Sequence, residues 1–271
     1  MDEHVDGVDL SGATLQHVRV AGASMTKVDA SGADIRGLLM EGARIRGGAI
    51  VHTRIDCDVF DLVINGVDVA PLIDAELNRR DPDRALLFAT DPDGIRAAWA
   101  RLEELWEGTI ERARTLPGDQ LHASVDGEWS FVQTLRHLNF KNAAWAQRVL
   151  RGEPDPYAPL DLPWDEAPAI EGFTPVRDAR PGLGEVLAER SQRCEQVRAA
   201  LRPLDDAALA GTVTRAEPGW PQVEDLPVAE AVHVLLMEEY EHRLFAERDL
   251  DALTGVSTSA DPTTPPTSQE P

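Results

Sequence analysis

Two residues near the C-terminus, Glu238 and His242, are of types and at a spacing that can hold a divalent metal ion. Four positions apart on a helix, a carboxylate and an imidazole project side by side, and both are donors that zinc accepts. They stand in Leu235-Leu-Met-Glu-Glu-Tyr-Glu-His-Arg243. Steps of three and four through Val228, Ala231, Leu235, Glu238, His242 and Phe245 trace what would be the core-facing seam of one helix. A packed helix normally carries Leu or Ile at the two polar positions. Burying a carboxylate without a partner costs several kcal/mol or neutralises it. The pair therefore needs a partner, and a metal ion satisfies both members.

A metal inside a packed helical domain draws its ligands from more than one helix. His137 stands in Thr134-Leu-Arg-His-Leu138, about one helical step from an apolar seam. His233 comes before Glu238 at a spacing that rotates it well away from the Glu238–His242 stripe, and His122 falls between helices. Trp129, Tyr157 and Trp164 are candidates to line a substrate mouth, with core packing or loop anchoring as the other role for each. Arg190 and Arg193 could meet a substrate carboxylate but read as surface arginines, and Glu239, Tyr240, Glu241 and Arg243 as solvated or inter-helix residues.

The elements that must position these residues begin at Gly94. Ile95, Ala98, Trp99, Leu102, Leu105, Trp106, Ile110 and Ala113 recur at helical steps and predict a first helix over 95–116, ended by Pro117-Gly118. Ser130 and Gln133 are spaced as a capping box ahead of a second helix. Its stripe is Phe131, Leu135, Leu138, Trp145 and Val149, and it ends near Arg151-Gly152. A proline-rich crossover follows over 153–182. A third helix runs from Leu183 to Leu201, with Val186, Leu187, Val197 and Leu201 inward. Residues 203–226 read as a loop, and a fourth helix runs from Pro227 to Leu253, closed by Gly255. Four helices with a long connection between the second and third indicate a four-helix bundle.

The N-terminal part follows another rule. From Val8 to Leu62 the chain repeats every five residues. The third position of each unit is Leu10, Leu15, Val20, Met25, Ala30, Ile35, Met40, Ile45, Ile50, Ile55 and Phe60, and the first is mostly Ala or Val. This resembles the pentapeptide repeat family, over eleven consecutive units. The resemblance implies a short right-handed four-sided β-helix with the central residues stacked inside. Some long members imitate DNA, but here Asp9, Asp29, Asp34, Glu41, Asp56, Asp58 and Asp61 face Arg19, Lys27, Arg36, Arg44, Arg46 and Arg54. That near-neutrality speaks against mimicry and for a structural or docking role. Asn65-Gly66 signals a turn, and Pro71 to Arg80 a short helix. The fold class is thus α+β in two domains: a repeat domain over 1–70, a helical connector over 71–93, the bundle over 94–255, and a tail over 256–271 expected to be disordered.

At 271 residues and 42% apolar, the chain is long enough for such cores. A net charge of −22 disfavours nucleic acid and anionic membranes. No apolar run reaches membrane-spanning length, no signal peptide is visible, and Cys57 and Cys194 stand far apart. A cytoplasmic protein without disulfides is expected.

Trp129-Ser130, then His137-Leu138 on the second helix, then Glu238-x-x-x-His242 on the fourth, resemble the DinB-like superfamily over about residues 94–253. Many members have His-x-x-x-His on the fourth helix. Glu238 in place of the first His is similar to the metal-binding domain of mycothiol-dependent maleylpyruvate isomerase. That resemblance implies a metal held by His137, Glu238 and His242, zinc first, with nickel or ferrous iron as the other candidates. The second domain of that isomerase has no counterpart here, so its activity is not implied. What is implied is a metal-dependent enzyme, a mycothiol- or other thiol-dependent S-transferase or related catalyst acting on a small electrophile. Two neutral imidazoles and a carboxylate suit this chemistry, because they leave an open metal position for a thiol or water. Metal-dependent hydrolysis and a non-catalytic scaffold with a structural metal are the alternatives. The expected partners are a small substrate and a low-molecular-weight thiol, with self-association into a homodimer open to both domains.

Overall fold

The computed structural model describes residues 7–55, 57, 59–165, 167–216 and 218–255. The tail expected over 256–271 lies outside the described residues. Two compact units divide at Cys57 and Asp58.

In the first unit the five-residue period is written in the backbone. Gly12, Gly22, Gly32, Gly37, Gly42 and Gly47 adopt positive φ, and His17, Lys27 and His52 do so at units that end in another residue. Leu10, Val20 and Ala30 carbonyls accept from Ala13, Ala23 and Ala33 across these turns. Among the described residues the stacked interior expected of a four-sided β-helix is not formed. Leu10, Leu15, Val20, Met25, Ile35, Met40, Ile45, Ile50 and Ile55 are all more than half exposed. A central residue can be enclosed only by coils above and below it, and eleven units supply fewer than three coils.

The second unit opens with a hairpin, β1 (Val63–Ile64) and β2 (Val67–Asp68), turned by Asn65-Gly66 with both residues at positive φ. Helix α1 (Ala70–Arg80) follows, then α2 (Pro82–Leu86), one more helix than the connector's sequence suggests. Helix α3 (Pro92–Arg114) is capped by the Asp91 side chain. Helix α4 (Phe131–Asn142) has the full capping box from Ser130 and Gln133, and continues as a π-helical segment over Ala143–Leu150. Helix α5 is Leu183–Leu201, and α7 is Val228–Thr254, ended by Gly255 in the left-handed conformation.

Between them, the stretch expected to be a loop holds α6 (Asp206–Leu209) and a hairpin of β3 (Thr212–Arg215) with β4 (Val223–Pro227). Thr212, Val213 and Thr214 supply β-branched residues, and Val213 and Arg215 turn inward between exposed neighbours. That alternation is only four residues long, too brief to outweigh the surrounding Asp, Gly and Pro when read as sequence.

Helix α4 packs on both α5 and α7, and α3 packs on both of these as well, closing the long helices into one ring. Their apolar residues form two clusters. One contains Trp99, Leu102, Ala146, Val197, Leu201, Val232, Leu235 and Leu236, the other Trp106, Leu121, Phe131, Leu135, Leu138, Val186, Ala246 and Leu250. Where α4 and α5 pass from one cluster to the other they carry the buried polar residues Asn142 and Arg190, and on α7 the buried Glu239 stands beside Tyr240, the last residue of that helix in the first cluster. Among the described residues no helix is long and apolar enough to cross a membrane.

The expected seam of α7 is correct for its first turns and then drifts. Val228, Ala231 and Leu235 are buried, whereas Phe245 is 47% exposed and Ala246 takes its place inside. Alternating steps of three and four average 3.5 residues per turn, and a straight helix has about 3.6. Over the length of α7 the difference moves the buried line onto Glu239, Ala246 and Leu250. Glu238 and His242 are left at its margin.

Candidate metal centre

Helix α4 supplies His137 and α7 supplies Glu238 and His242, and the structure brings one potential ligand atom from each within 4.8 Å of one another. Glu238 Oε2 lies 3.9 Å from His137 Nε2 and 3.5 Å from His242 Nδ1. The two imidazole rings stack with centroids 4.9 Å apart. Tetrahedral zinc with bonds of roughly 2.0–2.2 Å needs its ligand atoms about 3.3 Å apart, so small side-chain movements would close this set around an ion.

The tautomer of His137 suits coordination. His137 Nδ1 is 2.9 Å from the carbonyl oxygen of Leu162 and donates to it. Its Nε2 is left as a bare lone pair turned to Glu238, the arrangement in which a second partner fixes a metal-binding histidine. His242 Nδ1 is 2.9 Å from the Glu238 carbonyl one turn back and 3.5 Å from Glu238 Oε2, so coordination through this nitrogen requires that hydrogen bond to be released. Burial pushes His137 down to about 3, with His242 and Lys141 adding to the effect. Burial likewise lowers His242, against the pull of Glu238. Both imidazoles are therefore neutral at pH 7 and can accept a cation without first losing a proton.

The crossover between α4 and α5 carries Leu162, and buried arginines hold it down. Arg136, 0% exposed, donates from Nε to Leu160 O at 2.7 Å, from Nη2 to Val176 O at 2.6 Å, and from Nη1 to Arg177 O and Ala179 O at 3.2 and 3.0 Å. The Leu162 amide in turn donates to Arg136 O at 3.2 Å. Arg193 donates to Pro156 O at 2.8 Å and to Asp161 Oδ2 at 2.7 Å. Burial raises Asp161 to about 7 even so.

Arg190 is equally buried and grips Glu239, with Nη2 to Oε2 at 2.6 Å and Nη1 to Oε1 at 3.2 Å, while Asn142 Nδ2 donates to Oε1 at 2.8 Å. The sequence reading that put Arg190 and Arg193 on the surface is thus corrected. Both face inward because buried carboxylates, Glu239 and Asp161, and loop carbonyls need them.

Trp129 lies on the imidazole pair, its ring 4.4 Å from that of His137 and 6.3 Å from that of His242. Tyr157 lies one ring further off. It stacks on Phe140 at 5.2 Å, beside Phe173 and Trp220, and its hydroxyl is taken by the Trp220 carbonyl. Trp164 packs 5.0 Å from Trp220, with Lys141 Nζ 5.9 Å from its ring. Lys141 itself is ion-paired with Glu238 Oε1. Sequence reasoning missed Arg136 and Lys141, though each carried a signal. Arg136 interrupts an apolar helix beside His137, and Lys141 stands four residues after His137, on the same face.

The comparisons agree with this architecture. A model of the DinB superfamily matches residues 101–246, more than half of the chain, and the chain belongs to that superfamily. It is a DinB-type helical domain preceded by pentapeptide repeats, of which eight copies are matched over 6–47. The last three units of the period, beyond Gly47, lie outside that match. No curated protein and no solved structure matches the chain.

Proposed function

We propose that the helical domain, a four-helix bundle over residues 94–255, is a metal-dependent enzyme in which His137, Glu238 and His242 hold a zinc ion. The observation that carries this reading is His137. A nearly buried imidazole whose Nδ1–H is committed to a backbone carbonyl and whose Nε2 points at a carboxylate and a second histidine is arranged as a ligand. Zinc fits the donor set best, since two neutral nitrogens and one carboxylate oxygen form a three-protein-ligand set with a further position open. A metal bound there lowers the pKa of a thiol or water placed at that position and so supplies a nucleophile at neutral pH.

The chain's own residues do the rest. Leu162 orients His137, and Glu238 Oε2 faces both imidazoles while Lys141 holds Oε1. Trp129 covers the pair and limits access of water. The reaction we propose is transfer of a low-molecular-weight thiol, mycothiol first, onto a small electrophile. It is supported by superfamily membership and by the Glu238 variant of the ligand pattern.

Metal analysis of the purified protein and of a His137→Ala/His242→Ala variant tests the site. About one equivalent is expected in the first and a trace in the second. An equal, negligible content in both would remove the proposal. Turnover of an electrophile only with added thiol supports transfer, and turnover without thiol replaces it by hydrolysis.

A further inference from the structure

We propose that Lys141 makes the metal centre selective for a ligand carrying a carboxylate. The inference rests on the metal reading above.

Lys141 is an unusual residue to find here. Its side chain is 12% exposed and touches one oxygen of Glu238, whose other oxygen faces the two imidazoles. It rises from α4 one turn beyond His137, so the ammonium and the His137 ring share a face. Its Nζ lies 5.9 Å from the Trp164 ring centroid and 6.0 Å from that of Trp145. Indole faces favour a cation and shield it from water.

The charge count gives the site its preference. As metal ligands the two histidines are neutral imidazoles and Glu238 is a carboxylate with one negative charge. In the metal-free chain that carboxylate and Lys141 balance. A divalent ion taken up by Glu238 leaves the cluster with two net positive charges in a largely buried place, where charges interact strongly. The neighbouring carboxylate on α7 cannot offset them, because Glu239 is held by Arg190 and Asn142. A thiolate at the open metal position removes one of the two charges. The other resides on Lys141, and a carboxylate is its natural counter-ion; mycothiol carries none, so that carboxylate belongs to the electrophile, and a mercaptocarboxylate presents both groups in one probe. The indole walls of Trp164 and Trp145 would exclude water from that pair.

The test uses the cobalt-loaded full chain and two simple thiols, 3-mercaptopropionate and 2-mercaptoethanol, titrated by the thiolate-to-cobalt charge-transfer band. The quantity read is the ratio of their affinities. Lys141→Gln keeps an N–H donor for Glu238 and removes the charge, whereas Lys141→Arg keeps the charge. The ratio is expected to fall about tenfold in Lys141→Gln and to stay within about threefold of wild type in Lys141→Arg. Each protein is first loaded to the same cobalt content, so that a change in metal affinity does not enter the ratio. An unchanged ratio in Lys141→Gln with cobalt bound overturns the inference and leaves the metal reading standing. A wild-type chain that takes up no cobalt overturns both.

Discussion

Replacing Arg136 by methionine tests whether the crossover loop, and not the helices alone, prepares the metal centre. The guanidinium gives hydrogen bonds to the carbonyls of Leu160, Val176, Arg177 and Ala179 from a position with no solvent exposure. Methionine keeps the length and apolar stem but donates nothing. A hydrogen bond to a charged group contributes about 1.5–3 kcal/mol, so the contacts together have a ceiling on the order of 6–12 kcal/mol. The loop does not lose that whole amount, because lifting it returns those carbonyls to water. The expected result is therefore local release over 156–181 and not collapse of the ring of helices. Leu162 would lift with the loop, and its carbonyl is what fixes the Nδ1–H of His137. Loss of such a supporting partner lowers metal affinity about 10–100-fold. Zinc affinity measured by chelator competition, together with amide hydrogen exchange over the loop, reads both halves of the argument. Fast exchange with unchanged zinc affinity would refute the idea that Leu162 orients the ligand. Unchanged exchange would refute Arg136 as the anchor.

Two further outcomes follow from the buried charges. Arg190→Leu or Glu239→Leu alone should destabilise the chain by about 3–5 kcal/mol in urea unfolding, since each strands a buried charge, while the double variant should lie much closer to wild type. A double variant as unstable as the sum of the two singles would mean that they do not act as a pair. The second outcome concerns acid. In the metal-free protein the folded chain keeps His137 neutral down to about 3, while an unfolded histidine takes up its proton near 6.5. The unfolded state then binds more protons in that window, so stability falls as pH drops from about 6.5 towards 3. His137→Gln should flatten the slope of urea midpoint against pH between 7 and 4, and an identical slope in both proteins would count against a buried neutral imidazole.

The long helices were legible in the sequence because their signals are local. Ser130 and Gln133 form the capping box their spacing announces, α5 runs from Leu183 to Leu201 as its stripe predicts, and Gly255 ends α7. Of the candidate ligand trio, Glu238 and His242 stood out as polar residues on an apolar seam, and His137 joined them through the resemblance to the DinB-like superfamily. What failed to show depends on long-range partners. Arg190 and Arg193 look like any surface arginine until Glu239 and Asp161 are known to lie opposite, and sequence spacing does not reveal a contact between α5 and α7. The grip of Arg136 on the loop joins residues 24 to 43 positions apart, beyond the reach of any periodic pattern. In the repeat, the fivefold rule predicts the turns, which form, but an interior requires neighbouring coils that the rule does not supply.

The adjacent pair Glu238-Glu239 shows how one helix serves structure and chemistry at the same level. Successive residues on a helix point about 100° apart, so the two carboxylates cannot share a face. Glu239 occupies the buried line and binds Arg190 of α5 and Asn142 of α4. Glu238 emerges at the margin, towards His137 and Lys141, also of α4. The buried network therefore fixes the rotation of α7 against the helix that carries the opposing ligand. A well-packed apolar pair could match its stability, but would offer Arg190 of α5 and Asn142 of α4 no directional contact. A rotation of about 20°, at the roughly 6 Å radius of a side-chain terminus, shifts that atom by about 2 Å, a full metal–ligand bond length. In this superfamily member the polar layer is thus the part of the core on which alignment of the candidate ligands His137, Glu238 and His242 depends.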